Sequence, residues 1–124
     1  MTKVQIDDLS SEITKAMKEY SSEVNQKVKQ EVKKVTREAV NDLKEKSPKR
    51  TGEYASGWAS KVEFENSENI RTRVYNRKKP SLTHLLENGH AKKNGGRVEG
   101  IPHIKPVEEE TAEKLENRVK VRLS

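Results

Sequence analysis

The chain has no cysteine among its 124 residues, and aromatic residues make up only 4%, with one Trp, one Phe and three Tyr. Without thiols there is no disulfide framework and no thiol chemistry. No apolar run approaches the ~20 residues of a transmembrane helix, and the start of the chain lacks the apolar core of a signal peptide. The chain is therefore expected to be made and kept in a cytoplasm. Hydrophobic residues are also scarce, at 30% against 37% charged. That is a thin core for the length, near the composition at which chains stay unfolded alone. Buried apolar surface would offset chain entropy only narrowly, so a contribution from other subunits or partners is expected. The length fits one domain, residues 1–124.

Glycine and proline are few, at six and four, and they cluster. Residues 82–106, LTHLLENGHAKKNGGRVEGIPHIKP, hold four of the glycines, two of the prolines and all three histidines. Leu82, Leu85 and Leu86 set a short helix that stops at Asn88-Gly89, where a C-cap glycine belongs. A basic, glycine-rich loop then runs to about Gly100. A long loop in a small domain is usually functional or disordered.

The net charge of +6 is placed unevenly. Residues 47–105 carry twelve Lys/Arg against six Asp/Glu, whereas 1–46 carry ten against nine and 106–124 four against five. A basic middle favours nucleic acid, membrane surfaces or acidic protein partners without choosing among them.

The spacing predicts an α+β fold. Ile6, Leu9, Ile13, Met17, Tyr20, Val24, Val28, Val32, Val35, Ala39 and Leu43 recur about every 3.7 residues, so residues 1–46 read as one long helix. Thr2 with Gln5 suits a capping box, and Ser47-Pro48 ends the helix. Such a rod would be ~60 Å long, half buried on its own sheet or packed at its far end on neighbouring subunits. Two antiparallel strands follow. Trp58, Ser60, Val62 and Phe64 share one face of the first, and Ile70, Thr72 and Val74 one face of the second. The only Trp and the only Phe place the core on that face. A last helix is expected from about Pro106, with Glu108, Glu109 and Glu110 in its first turn and a stripe of Val107, Thr111, Leu115 and Val119. The tail from Val119 suits helix or strand.

No constellation spells catalysis. His84, Glu87, His90 and His103 have ligand chemistry but not the spacing of a zinc signature. No GxSxG elbow frames a serine, and Gly95-Gly96-Arg97 is not a phosphate loop. The sequence implies no enzyme, no metal and no cofactor. Arg71, Arg73, Arg77, Lys78, Lys79, Lys92, Lys93 and Arg97 could form one basic face, which makes a DNA-binding accessory module the alternative reading. Only Tyr75 is available there for stacking, and no known nucleic-acid motif appears.

The segments SPKRTGEYASGW (47–58) and LTHLLENGHAKKNGGRVEGIPHIKP (82–106) resemble the gp-ten-like tail-component family of long-tailed bacteriophages, whose members are head–tail joining proteins. VQIDDLSSEITKAMKEYSSEV (4–24) and LKEKSP (43–48) resemble members from phages and prophages of Gram-positive bacteria. The resemblance extends over essentially the whole chain. It implies a virion structural protein of the neck or upper tail, assembled in the host cytoplasm, without catalysis. It implies a hexameric or dodecameric ring of this chain, bound to connector and tail proteins, with packaged DNA passing through the channel and no membrane. On the matched motifs, Thr51, Gly52, Tyr54 and Trp58 would fix the turn into the sheet. His84, Leu85, Glu87, Gly89, His90, Gly95, Gly96, Arg97, Pro102, His103 and Pro106 would shape the loop or meet a neighbouring subunit.

Overall fold

A computed structural model describes residues 2–7, 10–16, 20–49 and 52–123, with backbone alone for 2–7, 10–16 and 122–123. The elements, in chain order, are β1 (Thr2–Asp7), β2 (Ser10–Ala16), α1 (Ser22–Lys46), α2 (Glu53–Ser56), β3 (Trp58–Glu65), β4 (Asn69–Asn76), α3 (Thr83–Asn88), β5 (Gly89–Ala91), β6 (Arg97–Glu99) and α4 (Ile104–Leu123). A single 3-10 turn, Pro80–Leu82, leads into α3. The class is α+β as expected, with a long helix, a small antiparallel sheet, a short middle helix and a C-terminal helix.

The first helix is shorter than the expected span of 1–46. Instead, Thr2–Asp7 and Ser10–Ala16 pair as antiparallel strands, with Thr2 opposite Lys15 and Asp7 opposite Ser10. The capping box at Thr2 and Gln5 therefore has no helix to cap. The reason lies in the residues: Thr2, Val4 and Ile6 alternate with period two, of which only Ile6 belongs to the helical stripe, and β-branched side chains favour the extended backbone. Helix α1 begins after Ser21, whose Oγ accepts a 3.2 Å hydrogen bond from the Val24 amide. At 25 residues it is ~37 Å long, a length one small sheet can cover. A helix of that length needs no neighbouring subunit to cover its far end.

The sheet has four strands rather than two, in the order β1-β2-β4-β3. Helix α1 lies against β3 and β4, and α4 lies against α1 and β1. One core cluster joins Val28, Val32 and Val35 of α1 to Ile70, Leu115 and Val119. The other joins Ala39, Val40 and Leu43 to Tyr54, Trp58, Val74, Ile104 and Val107. The stripe Val107, Thr111, Leu115 and Val119 is buried, and the chain stays helical to Leu123. Helix α4 starts at Ile104, two residues before the expected Pro106; proline is tolerated there because the first turn's amides have no intrahelical acceptors.

Phe64 is not in the core. A register shift between Val62 and Phe64 sets Phe64 opposite Arg71 and Glu65 opposite Ile70, and Phe64 is 52% exposed. A β-bulge moves every later side chain to the other face. Glu65 thereby turns toward α1, where Lys33 and Lys29 reach it at 3.1 and 3.5 Å.

Candidate functional site

The two motifs that frame the middle of the sequence meet in one buried cluster. Ser47 ends α1: its amide donates to the Leu43 carbonyl at 3.0 Å, and its hydroxyl donates to the same oxygen. The hydroxyl also accepts from the Trp58 indole N–H at 2.8 Å. Tyr54, carried on α2, packs edge-on to Trp58 and His103, with ring centroids 5.7 and 5.5 Å away. Asn76 closes the far side. Its Nδ2 donates to the Tyr54 carbonyl at 2.8 Å, and its Oδ1 accepts from the amides of Lys78 and Lys79, an Asx turn that starts the basic connection to α3.

His103 sits at the centre with none of its surface exposed. Its Nδ1 lies 2.7 Å from the Ile101 carbonyl oxygen and 3.0 Å from Glu87 Oε1. Both are acceptors, so Nδ1 carries a proton. Nε2 is 2.6 Å from the Tyr54 hydroxyl. In the neutral ring that nitrogen accepts and Tyr54 donates. Burial, reinforced by the nearby Glu87 charge, pushes the Tyr54 hydroxyl pKa well above its usual range, which keeps it a donor.

Glu87, on α3, caps a helix it does not belong to. Its Oε1 accepts from the amides of His103 and Ile104, both at 2.8 Å, and its Oε2 from that of Lys105 at 3.0 Å. These are orphan donors at the start of α4, where the helix dipole favours a carboxylate. Burial alone would raise the Glu87 pKa; the three amides and His103 outweigh it and hold the carboxyl below its ordinary value. Next to it, His84, Glu87, Ile104, Lys105, Glu108 and Glu109 line an open cleft of about 340 Å³. There Glu108 is raised by burial, then by the charges of Glu109 and Glu87.

From this anchor a two-stranded hairpin projects. The expected glycine-rich loop is β5 paired with β6, Gly89 opposite Glu99 and Ala91 opposite Arg97, with Gly95 and Gly96 at the tip, both at positive φ. Every residue from His90 to Glu99 is exposed. The base is closed by glycines. A Cβ on Gly89 would stand 2.3 Å from the Val98 carbonyl oxygen, and one on Gly100 would stand 2.5 Å from that of Glu87. Arg97 Nη2 donates to the Asn88 carbonyl at 2.6 Å, and the Ile101 amide to that of Leu86 at 2.7 Å.

Of the residues singled out from sequence, Tyr54, Trp58, Glu87 and His103 come together. Gly89, His90, Gly95, Gly96 and Arg97 lie in the hairpin. Gly52 precedes α2 with φ at +83. His84, Leu85, Pro102 and Pro106 are exposed around the anchor, and Thr51 lies outside the described residues. Ser47 and Asn76 belong to the cluster but were not singled out as site residues. For Asn76, its position directly before a basic turn was the available signal; Ser47 appears in the sequence only as a helix stop. The basic residues fall on three elements. Arg71 and Arg73 share the outer sheet face, each 3.8 Å from Glu63; Arg77, Lys78 and Lys79 lie in the turn, and Lys92, Lys93 and Arg97 in the hairpin. Among the described residues no group of three or more His, Cys, Asp or Glu is placed to hold a metal ion. Among them, too, no helix is long and apolar enough to cross a membrane.

A family model described as "Bacteriophage HK97-gp10, putative tail-component" matches residues 11–89. The chain belongs to this family. It is therefore a phage structural protein, a component of the tail. The match runs from β2 to the end of α3 and stops at Gly89, so it is narrower than the whole-chain resemblance, and the hairpin and α4 lie beyond it. No curated protein and no solved structure matches the chain.

Proposed function

We propose that this tail component is the subunit of a ring in the phage neck or upper tail, hexameric or dodecameric, that joins the head connector to the tail. Within it, the β5–β6 hairpin is the arm that engages a neighbouring virion protein. The observation that carries this reading is the hairpin itself: an exposed two-stranded ribbon tied at its base by the Arg97–Asn88 and Ile101–Leu86 hydrogen bonds. A free hairpin of this size is marginal in water, and its base is ringed by exposed Leu85, Val98 and Ile101, at 43, 39 and 52%. A segment with a fixed root and an unpacked tip gains most by ordering against a partner. Electron microscopy of particles made without this protein tests the reading. Full heads beside separate tails support it, and intact virions remove it.

A second reading rests on Lys92 and Lys93, which stand exposed at the hairpin tip: there the arm touches the phosphates of DNA in the channel. This predicts duplex affinity that falls with salt at a log–log slope of about −0.9 per phosphate contact. A binding titration showing no duplex binding at low salt rejects it.

A further inference from the structure

The charges of α1 and α4 are sorted by flank. Where the helices face each other, both Nη atoms of Arg118 reach Glu38, Nη2 at 2.9 Å. Lys114 lies 3.5 Å from Glu38 and 3.8 Å from Asp42. An acidic flank of α1 thus meets a basic flank of α4. The opposite flanks carry the opposite signs. On α1 these are Lys33, Lys34 and Arg37; on α4 the exposed residues Glu109, Glu113 and Glu116. Lys33 is matched by Glu65 and Glu116 by Lys120. Among the described residues no ion pair engages Lys34, Arg37, Glu109 or Glu113, whereas the Lys61 ammonium stands 5.7 Å from the centre of the Tyr75 ring on the outer sheet face.

The basic flank of α1 borders a cleft. Lys33, Thr36 and Arg37 form one wall and Ser60, Lys61 and Val62 of edge strand β3 the other, around a volume of about 250 Å³. Val62 is 45% exposed there. From this cleft and the two free flanks we infer that the α1–β3 cleft docks the acidic outer flank of α4 from a second copy of the chain. The inference rests on the ring-subunit reading above.

Two observations select that occupant. The first is spacing with charge: Lys33 and Arg37 stand four residues apart, as do Glu109 and Glu113, so both pairs are separated by ~6 Å along their helix axes. The contact repeats between copies the pairing that already joins α1 to α4 within one. The second is placement. Helix α1 lies over β3 and β4, and α4 lies by β1, in a sheet ordered β1-β2-β4-β3. The cleft and the acidic flank therefore occupy opposite ends of the same layer. Two different, complementary surfaces at opposite ends make a heterologous contact, the kind that closes into a ring when the rotation between copies allows it.

Sedimentation velocity on the full chain at low salt, across protein concentration, tests this. Wild-type protein should form oligomers that dissociate as added salt screens the contact. The double variants Lys34→Glu/Arg37→Glu and Glu109→Lys/Glu113→Lys should each lose more than about tenfold in association constant, because like charges then face each other. Mixed in equal amounts, they should associate again, since each reversed surface meets its complement. Circular dichroism checks that each variant keeps its helices, and the mixture shows that both remain competent. Wild-type association unchanged in the variants overturns the assigned surfaces and leaves the ring standing. A mixture that stays monomeric also overturns them. Wild-type protein monomeric under every condition overturns the self-association itself, whereas the ring's place in the virion is judged separately by particles lacking the protein.

Discussion

Glu87 shows how one side chain sets the geometry of a distant segment. It lies on α3, sixteen residues before His103, yet it supplies the acceptors for the first amides of α4. Glu87→Gln keeps one acceptor oxygen and loses the charge, and should cost about 1–3 kcal/mol at neutral pH. The pH dependence follows from the lowered carboxyl pKa. A carboxylate depressed in the folded state binds its proton more readily when unfolded. Its stabilisation is therefore complete above the ordinary Glu value near ~4.3 and is lost as pH falls through the lower folded value. Urea melts at pH 7 and pH 3 should show the wild-type advantage shrinking at the lower pH; a constant gap would mean that charge plays no part. Tyr54→Phe should cost a similar ~1–3 kcal/mol, because it strands Nε2 of a fully buried histidine. None of this pairing could be read from sequence. The residues were marked as a group by their motifs, but no periodicity links position 87 to positions 103–105. The partnership is created by the hairpin that brings the chain back to where it left.

At the scale of elements, periodicity located α1, β4 and α4 because each has one buried face, and it located β3 and α3 although burial there is confined to Trp58 and Thr83; it failed where two periods fit the same residues. The stripe Ile6, Leu9, Ile13 satisfied a helix, while Val4 and Ile6 satisfied a strand equally well; pairing of β2 with β4, from Ser10 opposite Tyr75 to Ala16 opposite Asn69, decided the matter through contacts remote in sequence. The bulge in β3 was invisible for a related reason. Alternation assumes an unbroken pleat, and one extra residue reverses it. That assignment has a measurable consequence. Phe64→Lys should change stability by no more than about 0.5 kcal/mol, as at other exposed positions, whereas Trp58→Ala should cost about 3–5 kcal/mol. Thermal melts giving equal losses would return Phe64 to the core. The loop expected at 89–100 proved to be a hairpin because its strands are three residues long, too short for alternation to register. Hydrogen exchange should find the amides of Ala91 to Arg97 fast in the isolated chain and slowed in assembled particles; equal protection in both would remove the hairpin from the contact.

For the whole molecule, the question is whether the arm can be separated from the body that carries it. The family match ends where the arm begins, and the two core clusters draw no residue from 89–103. The body should therefore fold without the arm. Its root is also suited to excision, since a Cβ on Gly100 would lie 2.8 Å from the Gly89 nitrogen, and the chain can be rejoined there through a short glycine bridge. Shortening a surface excursion changes closure entropy little, so deletion of residues 90–99 should leave stability within about 1 kcal/mol of wild type. In a phage lacking its own copy of the gene, the same deletion should leave full heads and unattached tails, although the protein is folded and abundant. Complete rescue by the deleted protein would place the joining contact on the body, on surfaces such as the α1–β3 cleft, and would leave the arm without an assembly role.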